Sequence, residues 1–149
     1  MKILIDVIVT TFYIGRLPLA PGTWASIAAT ISWLFIFDAT NSFLVPLSSI
    51  VLFFVGIYFS HLSLKKSNDH DPSYIVIDEW VGQWLALSFI PVNLNFAIVG
   101  FILFRFFDIT KIGPVKYFEK IPGALGVMAD DIAAGLMSAI VIFIARIVI

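Results

Sequence analysis

Uncharged apolar runs alternate with short polar breaks along this chain. Residues 24–37 (WASIAATISWLFIF) carry no charge and give way to Asp38-Ala39-Thr40-Asn41-Ser42. A second run, 43–60, stops before His61 and Lys65-Lys66. A third stretch opens at Asp78-Glu79, breaks at Pro91-Val92-Asn93-Leu94-Asn95 and resumes over 96–107, and the last extends from about Ile132 to Ile149. These runs predict helices. At ~1.5 Å per residue a 14-residue helix reaches about 21 Å, short of a hydrocarbon core of roughly 30 Å. The expected fold is therefore all-α: a compact membrane-embedded bundle, one domain, with several short or partly spanning helices. Lys2, Asp6, Thr10 and Tyr13 form a polar stripe at helical spacing, with Ile3, Leu4, Val7, Ile8 and Ile14 apolar. That pattern predicts an N-terminal amphipathic helix lying in the membrane interface. It does not read as a cleaved signal peptide, because no small-residue cleavage site follows and Arg16-Leu17-Pro18 interrupts.

Composition supports the membrane reading: 60% of residues are hydrophobic, 13% are charged and mean hydropathy is +1.03. A net charge of −1 offers no basic surface for nucleic acid. The absence of cysteine removes disulfides, thiolate metal sites and cysteine nucleophiles. If 24–37 with 43–60, and 79–90 with 96–107, form two hairpins, then loops 15–23, 61–78 and 108–131 share one side. With Lys2 and Arg105, that side holds eight of the nine Lys and Arg residues, only Arg146 lying elsewhere. The positive-inside rule makes it the cytoplasmic side.

Against this apolar background the acids stand out, because carboxylates are costly unless solvated, paired or bound to a cation. They cluster as Asp69/Asp71, Asp78-Glu79, Asp108 and Asp130-Asp131 at the ends of the apolar runs. The grouping reads as a divalent-cation site and chemistry on something anionic at a membrane surface. Each motif also has a plainer reading. Asp78 and Glu79 suit the first turn of a helix, and Trp80 and Trp84 suit interface anchors. His70, between two aspartates, is either a general base or an inert loop residue. Arg105, Asp108 and Lys111 follow one another at intervals of three, as an intrahelical ion pair or as a carboxylate flanked by two phosphate-holding cations. Asp130-Asp131 opens the last helix, where one acid can serve as N-cap. Gly135, one turn beyond, leaves space for an ion, a phosphate or a neighbouring helix. In Pro21-Gly22-Thr23, Thr23 is an N-cap candidate, and the free amides of that helix end are a phosphate-binding candidate.

Four stretches in this order and spacing, LPLAPGTWAS (17–26), HDPSYIVIDEWVGQW (70–84), RFFDITKIGP (105–114) and GALGVMADDIAAG (123–135), resemble the phosphatidylglycerophosphatase A family of bacterial membrane lipid phosphatases. Two departures touch loop shape: Ile112 where the family usually has proline, and Ala124 where it often has a second glycine. The resemblance implies a helical fold at the bacterial inner membrane and Mg²⁺-dependent conversion of phosphatidylglycerophosphate to phosphatidylglycerol. Mapped onto this chain, Asp78, Glu79, Asp108, Asp130 and Asp131 are expected to hold metal. Arg105, Lys111, Gly22 and Thr23 are expected to hold the phosphate. His70, Asp71 and Asp131 are expected to do the chemistry, with a covalent aspartyl-phosphate or attack by Thr23 as open variants.

Rival signatures are missing. There is no DxDxT motif, no histidine-rich lipid-phosphatase signature (only His61 and His70 are present), and no multi-aspartate alcohol-transferase pattern. The non-enzyme alternative is a small membrane cation-binding or transport protein using the same carboxylates. It calls for acids near the bilayer midplane rather than at helix ends.

Overall fold

The computed structural model describes residues 1–37, 43–65, 67, 69 and 72–148. They form α1 (Lys2–Val9), a 3-10 turn (Ile14–Arg16), α2 (Pro21–Ile36), α3 (Leu44–Leu64), α4 (Ile77–Ala86), α5 (Leu94–Thr110), α6 (Val115–Phe118) and α7 (Ala124–Val148). No strand occurs among the described residues, so the fold is all-α as the apolar runs predict.

Helix length sorts the elements. With 21 and 25 residues, α3 and α7 extend about 32 and 37 Å, and both are long and apolar enough to cross a membrane. Their outer faces expose Phe54 and Tyr58 on α3 and Phe143, Ile144 and Ile147 on α7. Such apolar faces need lipid as their solvent, and the chain is that of a membrane protein. By contrast α2, α5 and α4, with 16, 17 and 10 residues, fall short of a full crossing.

Short α4 is the hub, packed against α2, α3, α5 and α7. One apolar cluster, with Trp33, Phe37, Leu87 and Ile142, fills the bundle around its C-terminal half. A second, with Ile5, Val9, Ile77, Val81 and Met128, fixes α1 and α3 on its other side. A third joins α4 to α5 and α7 through Ala86, Phe104 and Ala134. Trp84 belongs to this interior and is not an interface anchor. Its ring meets Phe37 edge-on, and its indole N–H donates to the Ala29 carbonyl at 2.9 Å.

Two helix starts differ from expectation. The last helix begins at Ala124 rather than at the acid pair. Gly123, at φ +76°, reverses the preceding chain, and its carbonyl accepts from the amides of Gly126 and Val127 at 3.0 and 3.2 Å. The expected turn is thus the first helical turn, and Asp130-Asp131 lie inside the helix, not at its cap. Likewise α2 begins at Pro21, whose fixed φ suits a first turn, so Thr23 is not the N-cap. At the N-terminus α1 stops at Val9, because Thr11, Phe12 and Tyr13 adopt φ of 44, 58 and 69°. The stripe residue Thr10 caps this reversal, its hydroxyl accepting from the Tyr13 amide at 2.9 Å.

The starts of α2 and α4, the end of α5 and the first turns of α7 converge at one end of the bundle. At the other end Arg146 donates to the Phe89 carbonyl at 3.1 Å and stacks over Phe96. A close helix crossing lies between them. A Cβ on Gly135 would collide with the Gly82 carbonyl, and one on Gly82 would stand 2.6 Å from the Asp131 carbonyl oxygen. Of the open roles for Gly135, close helix packing is the one realised. We expect Gly135→Ala to destabilise the detergent-solubilised protein by about 1–3 kcal/mol, the usual scale of core overpacking. Leu136→Ala, a change at a half-exposed position on the same helix, is the control and should shift the melting temperature far less. Thermal unfolding of the two variants beside the parent checks this, and an unshifted Gly135→Ala would discount the crossing.

Candidate active site

A cleft of about 210 Å³ opens where these helix ends meet, lined by Pro21, Gly22, Ser73, Ile75, Asp78, Glu79, Arg105, Asp108, Lys111, Val127, Asp130 and Asp131. The first turn of α4 delivers Asp78 and Glu79, the last turns of α5 deliver Arg105 and Asp108, and the second turn of α7 delivers Asp130 and Asp131. Lys111 terminates α5 in the left-handed conformation, at φ 49°. That turn directs its side chain back across the cleft.

The seven charged side chains divide into two sets. Arg105 Nη1 donates to Asp108 Oδ2 at 2.5 Å, while Lys111 Nζ donates to Asp108 Oδ1 at 3.1 Å and Asp130 Oδ2 at 2.5 Å. The intrahelical pair foreseen from spacing is therefore real, and it lies within the cleft. The second set is Asp78, Glu79 and Asp131, which each offer one carboxylate oxygen within 4.8 Å of the others. Among the described residues no salt bridge reaches these three, and Glu79 Oε2 is buried without a hydrogen-bond partner. Arg105 Nε is likewise buried and unpartnered.

This grouping strains the electrostatics. Burial pushes the Asp78 carboxyl well above the ordinary carboxylate range, and adjacent Glu79 and the α7 acids add to it. Glu79 is raised too, chiefly by burial, with Arg105 pulling the other way. Burial alone would lower the Lys111 ammonium, but Asp130, Asp131 and Asp108 outweigh it and hold it above an ordinary lysine. An all-oxygen trio with an unsatisfied buried oxygen is a donor set suited to a hard divalent cation.

Among the expected phosphate ligands, Arg105, Lys111 and Gly22 line the cleft and Thr23 does not. The amides of Thr23 and Trp24 are already used by the Ala20 carbonyl, at 2.9 and 3.3 Å. That leaves little of the anticipated free helix end. Gly22 has a steric reason to be glycine, since a Cβ there would run into the Glu79 carboxylate. His70 and Asp71 lie outside the described residues. Ser73, Ile75 and Val127 line the cleft without having been singled out, because nothing in their residue types signals chemistry.

Together these features define a membrane-embedded helical protein with an acidic, cation-bordered cleft at one end. The chain belongs to the phosphatidylglycerophosphatase A family of phosphatases, whose model matches residues 7–146. It is similar to a Bacteroides thetaiotaomicron protein provisionally named a phosphatidylinositol-3-phosphatase, at 40% identity over 94% of this chain and 92% of that one. It is also similar to proteins named phosphatidylglycerophosphatase A. That of Haemophilus influenzae is 34% identical over 93% of this chain and 86% of its own, and that of Escherichia coli 34% identical over 87% and 76%. No solved structure matches the chain.

The raised carboxyls set a pH dependence. An acid whose folded pKa lies above its unfolded value holds its proton more tightly when folded. Stability is then present below the unfolded value, near 3.8 for Asp78 and 4.5 for Glu79, and is lost as pH rises through the folded one. In EDTA, the protein is expected to melt at a higher temperature at about pH 5 than at about pH 8. A melting temperature that rises with pH in EDTA would contradict the charge arrangement.

Proposed function

We propose that this protein is a phosphatidylglycerophosphatase: it hydrolyses the terminal phosphomonoester of phosphatidylglycerophosphate, with Mg²⁺, at the cytoplasmic face of the bacterial inner membrane. One observation carries the reading. The cleft sets five carboxylates against two cations, leaving an excess of three negative charges. A phosphomonoester dianion has no favourable place in such a cleft unless a cation or protons offset the excess. The same cleft nevertheless holds an arginine and a lysine, the residue types that receive phosphate oxygens.

Asp78, Glu79 and Asp131 would hold the Mg²⁺, which when bound supplies charge neutralisation at the phosphate and acidifies bound water. The chain's own groups do the rest. Arg105 donates to the equatorial oxygens, with its unpartnered Nε and its Nη2 forming the fork. Asp108 fixes that guanidinium from the other side. Lys111, shared between Asp108 and Asp130, can swing one N–H to the phosphate without losing its charge partners. Water attacks phosphorus, the bond from phosphorus to the glycerol oxygen breaks, and the departing oxygen takes a proton. We assign proton transfer to His70 or Asp71, in the loop that leads into α4, on sequence grounds. With Thr23 outside the cleft lining, attack by water or by an aspartate is favoured over attack by its hydroxyl.

The relatives' names differ in headgroup but share a phosphomonoester on a membrane lipid. The charge cluster answers to that shared group. Both headgroups set three carbons between the diester and the monoester oxygen, so the choice of glycerol phosphate rests on the two of these three relatives that carry that activity in their names. The transport alternative is disfavoured because the acids gather at one end of the bundle rather than midway along α3 or α7.

Phosphate release from phosphatidylglycerophosphate, with phosphatidylinositol 3-phosphate as the competing substrate and EDTA as the control, tests the assignment. Equal or better turnover of the inositol lipid would transfer the proposal to that substrate. Asp78→Asn and Asp131→Asn should abolish turnover with the fold retained, and retained activity would remove either residue from the metal set. Arg105→Lys keeps charge but not the fork, and should lower turnover roughly 10- to 100-fold, the scale of ~1.4–3 kcal/mol for charge-assisted bonds. Full activity would reduce Arg105 to the structural partner of Asp108. For topology, cysteines placed at Ser67 or Glu119 should resist an impermeant thiol reagent added outside intact cells.

A further inference from the structure

Helices α2 and α5 adjoin at the cleft through Gly22 and Arg105, and their seam carries on beyond it. There it becomes a shallow groove of about 210 Å³, walled by Ile27, Ile31 and Leu34 of α2 and Leu94, Ile98 and Phe101 of α5. Thr30 also lines it, but its hydroxyl is turned inward to the Ser26 carbonyl at 2.8 Å, so the wall is apolar. Ile31 lies nine residues along α2 from Gly22, and Ile98 seven residues back along α5 from Arg105. The groove thus begins within a turn or two of the cleft, passes Ile31 and Ile98 at about 10–14 Å, and ends at Leu34 and Leu94 about 17–18 Å away. Half of a roughly 30 Å hydrocarbon core is about 15 Å, so the stretch of the seam from Ile27 and Phe101 to Ile31 and Ile98 would lie within the leaflet that the cleft faces. Ile31, Ile98 and Leu94 are 50, 49 and 63% exposed, so the groove opens sideways to lipid.

We propose that this groove seats one acyl chain of the lipid substrate, so that the headgroup reaches the charged cleft from within the leaflet. The inference rests on the function proposed above. The argument is continuity: the same two helices that border the phosphate site offer, directly beneath it, a lipid-accessible apolar trough and nothing polar. A larger apolar cavity of about 490 Å³, between α1, α3 and α4, lacks that continuity. It is faced by Ile77, Trp80 and Trp84, whereas Asp78 and Glu79 on the same helix face the cleft. A chain seated there would hold its headgroup on the wrong side of α4.

The test uses the full chain in phosphatidylcholine vesicles with a phosphatidylglycerol probe bearing a diazirine midway along one acyl chain. After irradiation, adducts on Ile31, Ile98 and half-buried Phe101 should exceed several-fold those on Phe54 and Tyr58, which are more open to lipid on α3. Ile31→Trp and Ile98→Trp place bulk at lipid-facing positions, where the fold tolerates it. Each should reduce seam adducts and raise KM for a long-chain substrate roughly tenfold, while a dihexanoyl substrate is turned over as by the parent. Even labelling of α2, α3 and α5, or labelling concentrated on Leu52 and Val55, overturns the proposal. So do tryptophan variants that impair long and short substrates alike. If the parent hydrolyses neither substrate, the proposed function fails, and the adduct map by itself decides whether a phospholipid chain occupies the seam.

Discussion

The close approach of α4 to α7 at Gly82 and Gly135 is the constraint from which the cleft follows. Asp78 and Glu79 stand in the first turn of α4, and Asp131 stands one turn before Gly135 on α7. Only because the two backbones touch at those glycines do the three carboxylates come within 4.8 Å of one another. Side chains at the crossing would part the helices, and the trio would open with them. Two unit charges 4 Å apart repel by ~4 kcal/mol at the effective dielectric near a protein surface. The glycine crossing therefore holds in place an arrangement that the carboxylates alone would disperse. The large apolar contact of α4 with its four neighbours, with buried Trp84, Leu87 and Phe104, is what offsets that repulsion.

The two cations leave the trio unneutralised in an informative way. Lys111 and Arg105 bind Asp108 and Asp130, not Asp78, Glu79 or Asp131. Asp108 accepts from both cations, one on each oxygen, and so works as a spacer that keeps guanidinium and ammonium side by side. A positive pair thus stands beside a negative trio instead of collapsing onto it. Such separation is what a ternary arrangement of metal, phosphate and protein cations needs, because the phosphate must meet positive charge on more than one side. Were Arg105 paired with Glu79 instead, metal and phosphate would compete for one residue.

Much of this was legible in the letters. Apolar runs marked five of the seven helices, since each run is bounded by charge or proline, and the acid clusters marked every carboxylate in the cleft. What escaped were features with no compositional signal. Ala124 starting α7 depends on Gly123 turning the chain, and an isolated Pro-Gly cannot distinguish a loop from a first helical turn. Trp84 carries the residue type of an interface anchor, yet a carbonyl fifty-five positions away accepts its indole N–H. Gly82 gave no sign of its role, because the need for it is imposed by Gly135 on another helix. The division of the five acids into trio and ion-paired set is likewise a property of tertiary geometry, invisible when Asp130 and Asp131 are merely neighbours in a string.

The short helices connect fold to chemistry. A bundle made only of full crossings would bring its polar residues to the outermost surface, where water screens charge. Here α4 is 10 residues long and enclosed by four helices, so its first turn is buried while still at the bundle's end. Glu79 Oε2 and Arg105 Nε are consequently withdrawn from solvent at one end of the bundle rather than midway along it. That position raises the strength of every charge interaction relative to water. Under the proposed function it would also let a lipid remain in its leaflet while its headgroup meets the carboxylates from the side. A site at the midplane would require the headgroup to be dragged through hydrocarbon, and one fully in water would require the acyl chains to leave it. The truncated hub helix avoids both costs, and for that reason its length matters as much to the site as the acids it carries.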